Sequence, residues 1–145
     1  MEYDVNADNS KVKKFLNSLM PSYIKQLGLT NSKRAVLVKV TKDLEDDFQG
    51  STMNIDVADC MLVLIKAPKR LTPVSLMEMA TTLAHEMVHV KQIAKGQMKF
   101  LPGDAKIWKG KRYSKKTKYL DMPWEIDAFS KQELLLRRAI EIDTK

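Results

Sequence analysis

A single cysteine, Cys60, in 145 residues rules out an intrachain disulfide and suits a reducing compartment. Placed between Asp59 and the apolar run from Met61 to Ile65, that thiol reads as a small buried hydrophobe ahead of a nucleophile or ligand. No stretch approaches the roughly 20 apolar residues of a membrane span. Met1-Glu2-Tyr3-Asp4 is acidic and is followed by no apolar core of signal-peptide length. A cytoplasmic protein with no membrane partner is therefore expected. There is no internal repeat and no low-complexity tract, and histidine occurs only twice.

What is present is ordinary for a globular protein: 44% hydrophobic and 30% charged residues, in a length that closes one hydrophobic core. The net charge of +7 is unevenly placed. Lys95 to Lys118 holds nine of the 25 basic residues against Asp104 alone, leaving 16 basic and 17 acidic residues elsewhere. Phe100, Trp108, Tyr113 and Tyr119 are interleaved with these lysines. That pattern fits a solvated hairpin, a nucleic-acid surface where phosphates meet ammonium groups and bases stack on rings, or a field that steers acidic proteins.

Residues 1–9 are polar and read as a flexible leader before a domain spanning 10–145. From Ser10, Val12, Phe15, Leu16, Leu19, Tyr23, Ile24 and Leu27 recur at helical spacing, and Gly28 is a natural stop. Pro21 predicts a kink or two short helices. Arg34 to Thr41, Thr52 to Val57 and Cys60 to Lys66 read as strands, with a polar connection from Asp43 to Gly50. Three strands in succession predict a small, mainly antiparallel sheet. A helix starting at Thr72-Pro73, or at Ser75 with Glu78, carries Leu76, Met79, Ala80, Leu83, Met87, Val90 and Ala94 to a stop at Gly96. The basic segment, broken by Pro102-Gly103 and Gly110, reads as loop or hairpin. A last helix runs from about Trp124 to Ile142. The fold class is α+β.

His85 and His89 lie four apart on the metal-helix candidate, so both imidazoles leave one face a turn apart and can reach one Zn²⁺ at about 2.0–2.1 Å. Glu86 is rotated about 100° from His85, placing it as a general base for a metal-activated water. Isolated helical histidines usually serve packing or the surface. Random placement would put the only two at this spacing, with a glutamate at the required position, in roughly one chain in a thousand of this composition.

A catalytic zinc normally takes three protein ligands, and no third histidine exists. The third must be a carboxylate, Cys60 or a group from another molecule. Asp104, Asp121, Glu125, Asp127, Glu133, Glu141 and Asp143 are the carboxylates downstream. Glu125 fits best, because Ala128, Phe129 and Gln132 share its helix face and a buried carboxylate there needs a cation. Asp127 points about 200° away, toward Lys131. The plain role of a first-turn acidic residue is to complement the helix dipole.

His85-Glu86-Met87-Val88-His89 followed by Pro123-Trp124-Glu125-Ile126-Asp127-Ala128-Phe129 resembles the gluzincin metallopeptidases, over roughly Arg34 to Ile140 in order of elements. The pattern looks closest to minimal gluzincins and SprT-like domains, and is similar to ImmA/IrrE and small phage-encoded peptidases. Many SprT-like members use a third histidine; having none here favours the glutamate version.

The resemblance implies a zincin-like domain holding zinc through His85, His89 and Glu125, with Glu86 as catalytic base. It implies a protein or peptide substrate, and a cytoplasmic site of action (a host cell's, if phage-encoded). It also implies an edge strand that binds substrate backbone, for which Met61 to Lys66 is the candidate, although an internal strand fits that segment equally. Tyr113, with Arg112 and Tyr119 as alternatives, is the candidate transition-state donor. Trp124 reads as a core anchor and Glu78 as a partner to the ligands. A monomer is expected. The competing functions are a SprT-like protease acting on DNA-bound proteins through Lys95 to Lys118, and a nonenzymatic binding module with a structural zinc.

Overall fold

The structure, a computed structural model, describes residues 1–45, 48–55 and 58–143. The described residues form a small α+β domain of three α-helices, two 3-10 turns and two sheets. No helix among the described residues is long and apolar enough to cross a membrane.

The first nine residues are not a loose leader. Glu2–Asn6 forms strand β1, in which Tyr3 and Val5 turn inward while Glu2, Asp4 and Asn6 face out. Only two inward positions carry that alternation, too few to register against a polar stretch. Asn9 then caps helix α1 (Ser10–Gln26), its side chain accepting from the Lys11 and Val12 amides at 2.9 and 3.1 Å. The helix continues through Pro21. A proline there removes one intrahelical bond, but Leu16, Leu19, Met20, Tyr23 and Ile24 are buried on both sides of it and fasten both halves to the core. Gly28 ends the run at φ +69°, a left-handed conformation that favours glycine.

Strands β2 (Ala35–Thr41), β3 (Gly50–Ile55) and β4 (Cys60–Lys66) complete a four-stranded sheet in the order β1-β2-β4-β3. The expected three-stranded, mainly antiparallel arrangement is corrected by this layout. β1 pairs parallel with β2, β2 pairs parallel with β4, and only β3 pairs antiparallel with β4. Parallel pairing needs a crossover. α1 supplies one, and β3 with its flanking connections supplies the other. β4 is thereby an interior strand, consistent with its continuous apolar run; the sheet's edges are β1 and β3, and of these β3 is the one that packs on α2. The expected strand end at Asp56 and Val57 lies outside the described residues, as does the side chain of Asp143.

Helix α2 (Pro73–Ala94) begins at the Thr72-Pro73 alternative. The Thr72 side chain accepts from the Ser75 amide, and Ser75 reaches back to the Thr72 amide. α2 packs under β3 and β4 on one side and along helix α3 (Pro123–Asp143) on the other. It is buried almost continuously from Met79 to Ile93. Each fully buried aliphatic side chain contributes about 1.5–3 kcal/mol.

The basic segment is more ordered than a loop or hairpin. Strands β5 (Met98–Phe100), β6 (Lys106–Trp108) and β7 (Lys111–Tyr113) form a three-stranded antiparallel meander. Lys109 and Gly110, both at positive φ, make the tight turn between the last two.

Candidate metal centre

The middle of α2 carries His85, Glu86 and His89, each less than a tenth exposed. The first turn of α3 brings Glu125 against them. Glu125 Oε1 lies 2.8 Å from His85 Nε2 and 3.0 Å from His89 Nε2. The ligand-type atoms of these three residues all fall within 4.8 Å of one another, and no comparable group occurs elsewhere among the described residues.

The other nitrogen of each ring is tied down. His89 Nδ1 meets Gln92 Oε1 at 2.8 Å, and His85 Nδ1 meets Gln132 Oε1 at 2.8 Å. Gln92 is fully buried, and its amide group donates to the Trp124 carbonyl and to Asp127 Oδ2, both at 2.9 Å. With both donors spent, only the amide oxygen faces His89. An amide oxygen accepts, so Nδ1 carries the proton and Nε2 presents a lone pair.

Three acceptors thus converge on one point, an arrangement that requires a positive charge between them. Shared protons satisfy it, as does a cation. Without a cation, burial disfavours the charged form of His89 but is outweighed by the Glu125 hydrogen bond and the Glu86 charge, which push its pKa up. Burial likewise opposes ionisation of Glu125, yet hydrogen bonds from His85 and His89 hold its carboxyl at about 2. Two imidazoles and a carboxylate are a zinc donor set. Tetrahedral bonds of that length set ligand atoms roughly 3.3 Å apart, a few tenths of an ångström beyond the separations seen here. The residues fit the ion.

Glu86 stands to one side of the three. Its Oε1 accepts from the Thr52 hydroxyl at 2.7 Å, and burial pushes its carboxyl up, with His89, the Thr52 bond and His85 partly offsetting this. Gly50 opens the space. A Cβ at that position would lie 2.7 Å from Thr82 Cγ2 and 3.1 Å from Glu86 Cγ and Oε2. The start of β3 can therefore approach α2 closely only without a side chain.

The tyrosines divide by position. Tyr113 packs edge-on against Trp124, with ring centroids 5.6 Å apart, and Lys111 Nζ lies over the Tyr113 ring, 5.2 Å from its centroid. Tyr119, in the short turn before α3, sends its hydroxyl to Glu125 Oε1 at 3.3 Å. Burial and then the Glu125 charge raise that hydroxyl to about 12. Arg112 is exposed on β7, and Cys60 begins β4, apart from the histidines. Trp124 is buried. Asp127 faces Lys131 at 2.6 Å, and Glu78 lines the cleft beside His85.

Sequence reasoning missed Thr52, Gly50 and Gln92. Gln92 had a signal, since it falls three residues after His89 and seven after His85 on the same helix face. Thr52 and Gly50 had none, because their role depends on where β3 lies. No family model matches this chain, and neither a curated protein nor a solved structure does.

Proposed function

We propose that this chain is a zinc-dependent metallopeptidase of the gluzincin kind, built on a zincin-like domain. The single observation that carries the reading is the convergence of two Nε2 lone pairs and the Glu125 carboxylate beside an independent buried glutamate. A bound zinc ion supplies Lewis-acid polarisation and lowers the pKa of water toward neutrality.

The chain's own residues do the rest. Gln92 and Gln132 fix the imidazole tautomers and ring planes, which sets the donor geometry. Glu86 takes the proton from the attacking water and returns it to the leaving amine; its burial raises its basicity for that exchange. Thr52 holds the Glu86 carboxylate in orientation through its hydroxyl. The half-exposed Tyr119 is held neutral and donates to the developing oxyanion. The exposed edge of β3, paired only with β4, receives the substrate backbone as an added strand.

The test is Glu86→Gln in zinc-loaded protein, assayed on a denatured protein substrate. Hydrolysis is expected to fall at least about 100-fold while zinc content is unchanged. Undiminished hydrolysis would remove Glu86 as base and the mechanism with it.

A further inference from the structure

Three cavities follow one another along β3. The first, about 550 Å³, lies between Phe48 and Gly50 on one wall and Phe129 on the other, with Glu78, His85 and Glu86 among its ionisable residues. The second, about 210 Å³, holds the histidine–glutamate group together with Thr52, Trp124 and Lys106. The third, about 560 Å³, runs from Thr52 to Asn54 against Met98, Lys99 and Phe100. Gly50, Glu86 and Tyr119 or their neighbours line the first two, and Thr52, Met98 and Phe100 line the last two. They make one groove with chemically different ends.

We infer that Lys106, with Lys99 beyond it, selects a substrate carboxylate on the Thr52–Asn54 side of the centre, while the Phe48–Phe129 side takes an apolar side chain. This rests on the peptidase reading. Lys106 Nζ sits 5.1 Å from the Trp124 ring centroid and 5.8 Å from that of Phe100, so its ammonium is held over aromatic faces in the cavity of the metal ligands. Neither Lys106 nor Lys99 makes an ion pair among the described residues. Arg34, on the same wall, is committed to Asp59 and Asn54. A lysine sharing a cavity with a divalent cation is repelled by it, and an anion between or beside the two relieves that repulsion. A strand advances about 3.4 Å per residue. A peptide paired with β3 and cut beside Glu86, which Thr52 touches, therefore carries the side chains two or three residues on along Thr52–Asn54, the wall shared with Lys99 and adjoining the cavity of Lys106. The carboxylate can belong to an acidic side chain or to a chain terminus.

Binding and turnover separate this inference from the reading beneath it. Zinc-loaded Glu86→Gln protein is titrated with fluorescent peptides of one length, with a single Asp walked through each position, each made as free acid and as amide. Asp two or three residues to one side of the cut is expected to tighten binding about tenfold over Asn. A gain that instead follows the free acid and vanishes in the amide assigns the carboxylate to the chain terminus. Adding Lys106→Glu to the same protein should invert the preference toward a Lys-bearing peptide. Equal binding of Asp, Asn and Lys peptides, or a preference that survives Lys106→Glu, overturns the inference. So does a single-stranded oligonucleotide that binds more tightly than every Asp peptide and loses that affinity in Lys106→Glu. Charge-selective binding without hydrolysis by the unsubstituted protein would retain the inference and remove the peptidase. Hydrolysis without charge selection would do the reverse.

Discussion

The α2–α3 junction and the β5–β7 meander lie side by side, yet they order their polar groups in opposite ways. At the junction, His85, His89 and Gln92 are buried and each has directional partners within about 3 Å. In the meander, Lys106, Lys109 and Lys111 lie over aromatic rings at 5.1–5.8 Å, contacts with broad geometry and worth about 0.5–1 kcal/mol when exposed. The junction's groups are held by directional hydrogen bonds, whereas cation–ring contacts tolerate a wide range of positions. Precision therefore belongs to the helices, and charge that can adapt to a partner belongs to the small sheet.

Adding or withholding zinc should break the contrast most. If zinc fills the centre, saturation at about 100 times its Kd adds roughly 2.7 kcal/mol, or on the order of 5–10 °C in thermal midpoint for a chain of this size. Calorimetry with and without a chelator measures this, and an unchanged midpoint would speak against a zinc-linked fold.

Gln92→Leu comes next. It strips His89 Nδ1, the Trp124 carbonyl and Asp127 of a shared partner, so zinc affinity should drop about 10- to 100-fold. The fold should lose roughly 1–3 kcal/mol. Competition with a chelating dye and urea unfolding report the two separately.

Tyr23 sharpens the comparison from the core side. Its hydroxyl donates to the Ala80 carbonyl at 2.9 Å, on the helix that carries His85. Tyr23→Phe should cost about 1 kcal/mol at neutral pH. Burial pushes the Tyr23 phenol up, so its folded pKa exceeds the unfolded value near 10. The stabilisation is complete below that value and declines as pH rises through the alkaline range toward the folded pKa. Alkaline unfolding titrations should therefore show a shallower loss in Tyr23→Phe. An identical slope would contradict this.

The smallest effect is expected in the meander. Lys109→Ala removes a cation held 5.2 Å from the Trp108 ring and should shift stability by no more than about 0.5–1 kcal/mol, measured by the same unfolding assay. A larger loss would show that the basic sheet is as tightly specified as the helices.

The helices were legible because their signals are local. The His85–His89 spacing and the uncharged face around Glu125 are readable from neighbours three, four and seven residues away, and the structure brings those side chains together. Sheet order was not readable in this way. β3 precedes β4 in the chain but lies outside it in the sheet, and nothing in either strand's alternation encodes that choice. The same non-local placement puts Met61–Lys66 inside the sheet and makes β3 the edge beside α2. It also put the hydroxyl of Tyr119, not that of Tyr113, beside Glu125, since both tyrosines sit in a segment whose path depends on three short strands. β1 was hidden because its polar outward residues outnumber its two apolar inward ones.

Zinc content after exhaustive dialysis, compared between the unsubstituted chain, Asp127→Ala and Glu125→Ala, tests the centre most directly. The two carboxylates are two residues apart on α3, but only Glu125 meets His85 and His89, while Asp127 is paired with Lys131 and Gln92. The expected result is about one zinc per chain in the first two proteins and almost none in Glu125→Ala. Equal zinc in all three, or loss in Asp127→Ala alone, would contradict a centre built from His85, His89 and Glu125.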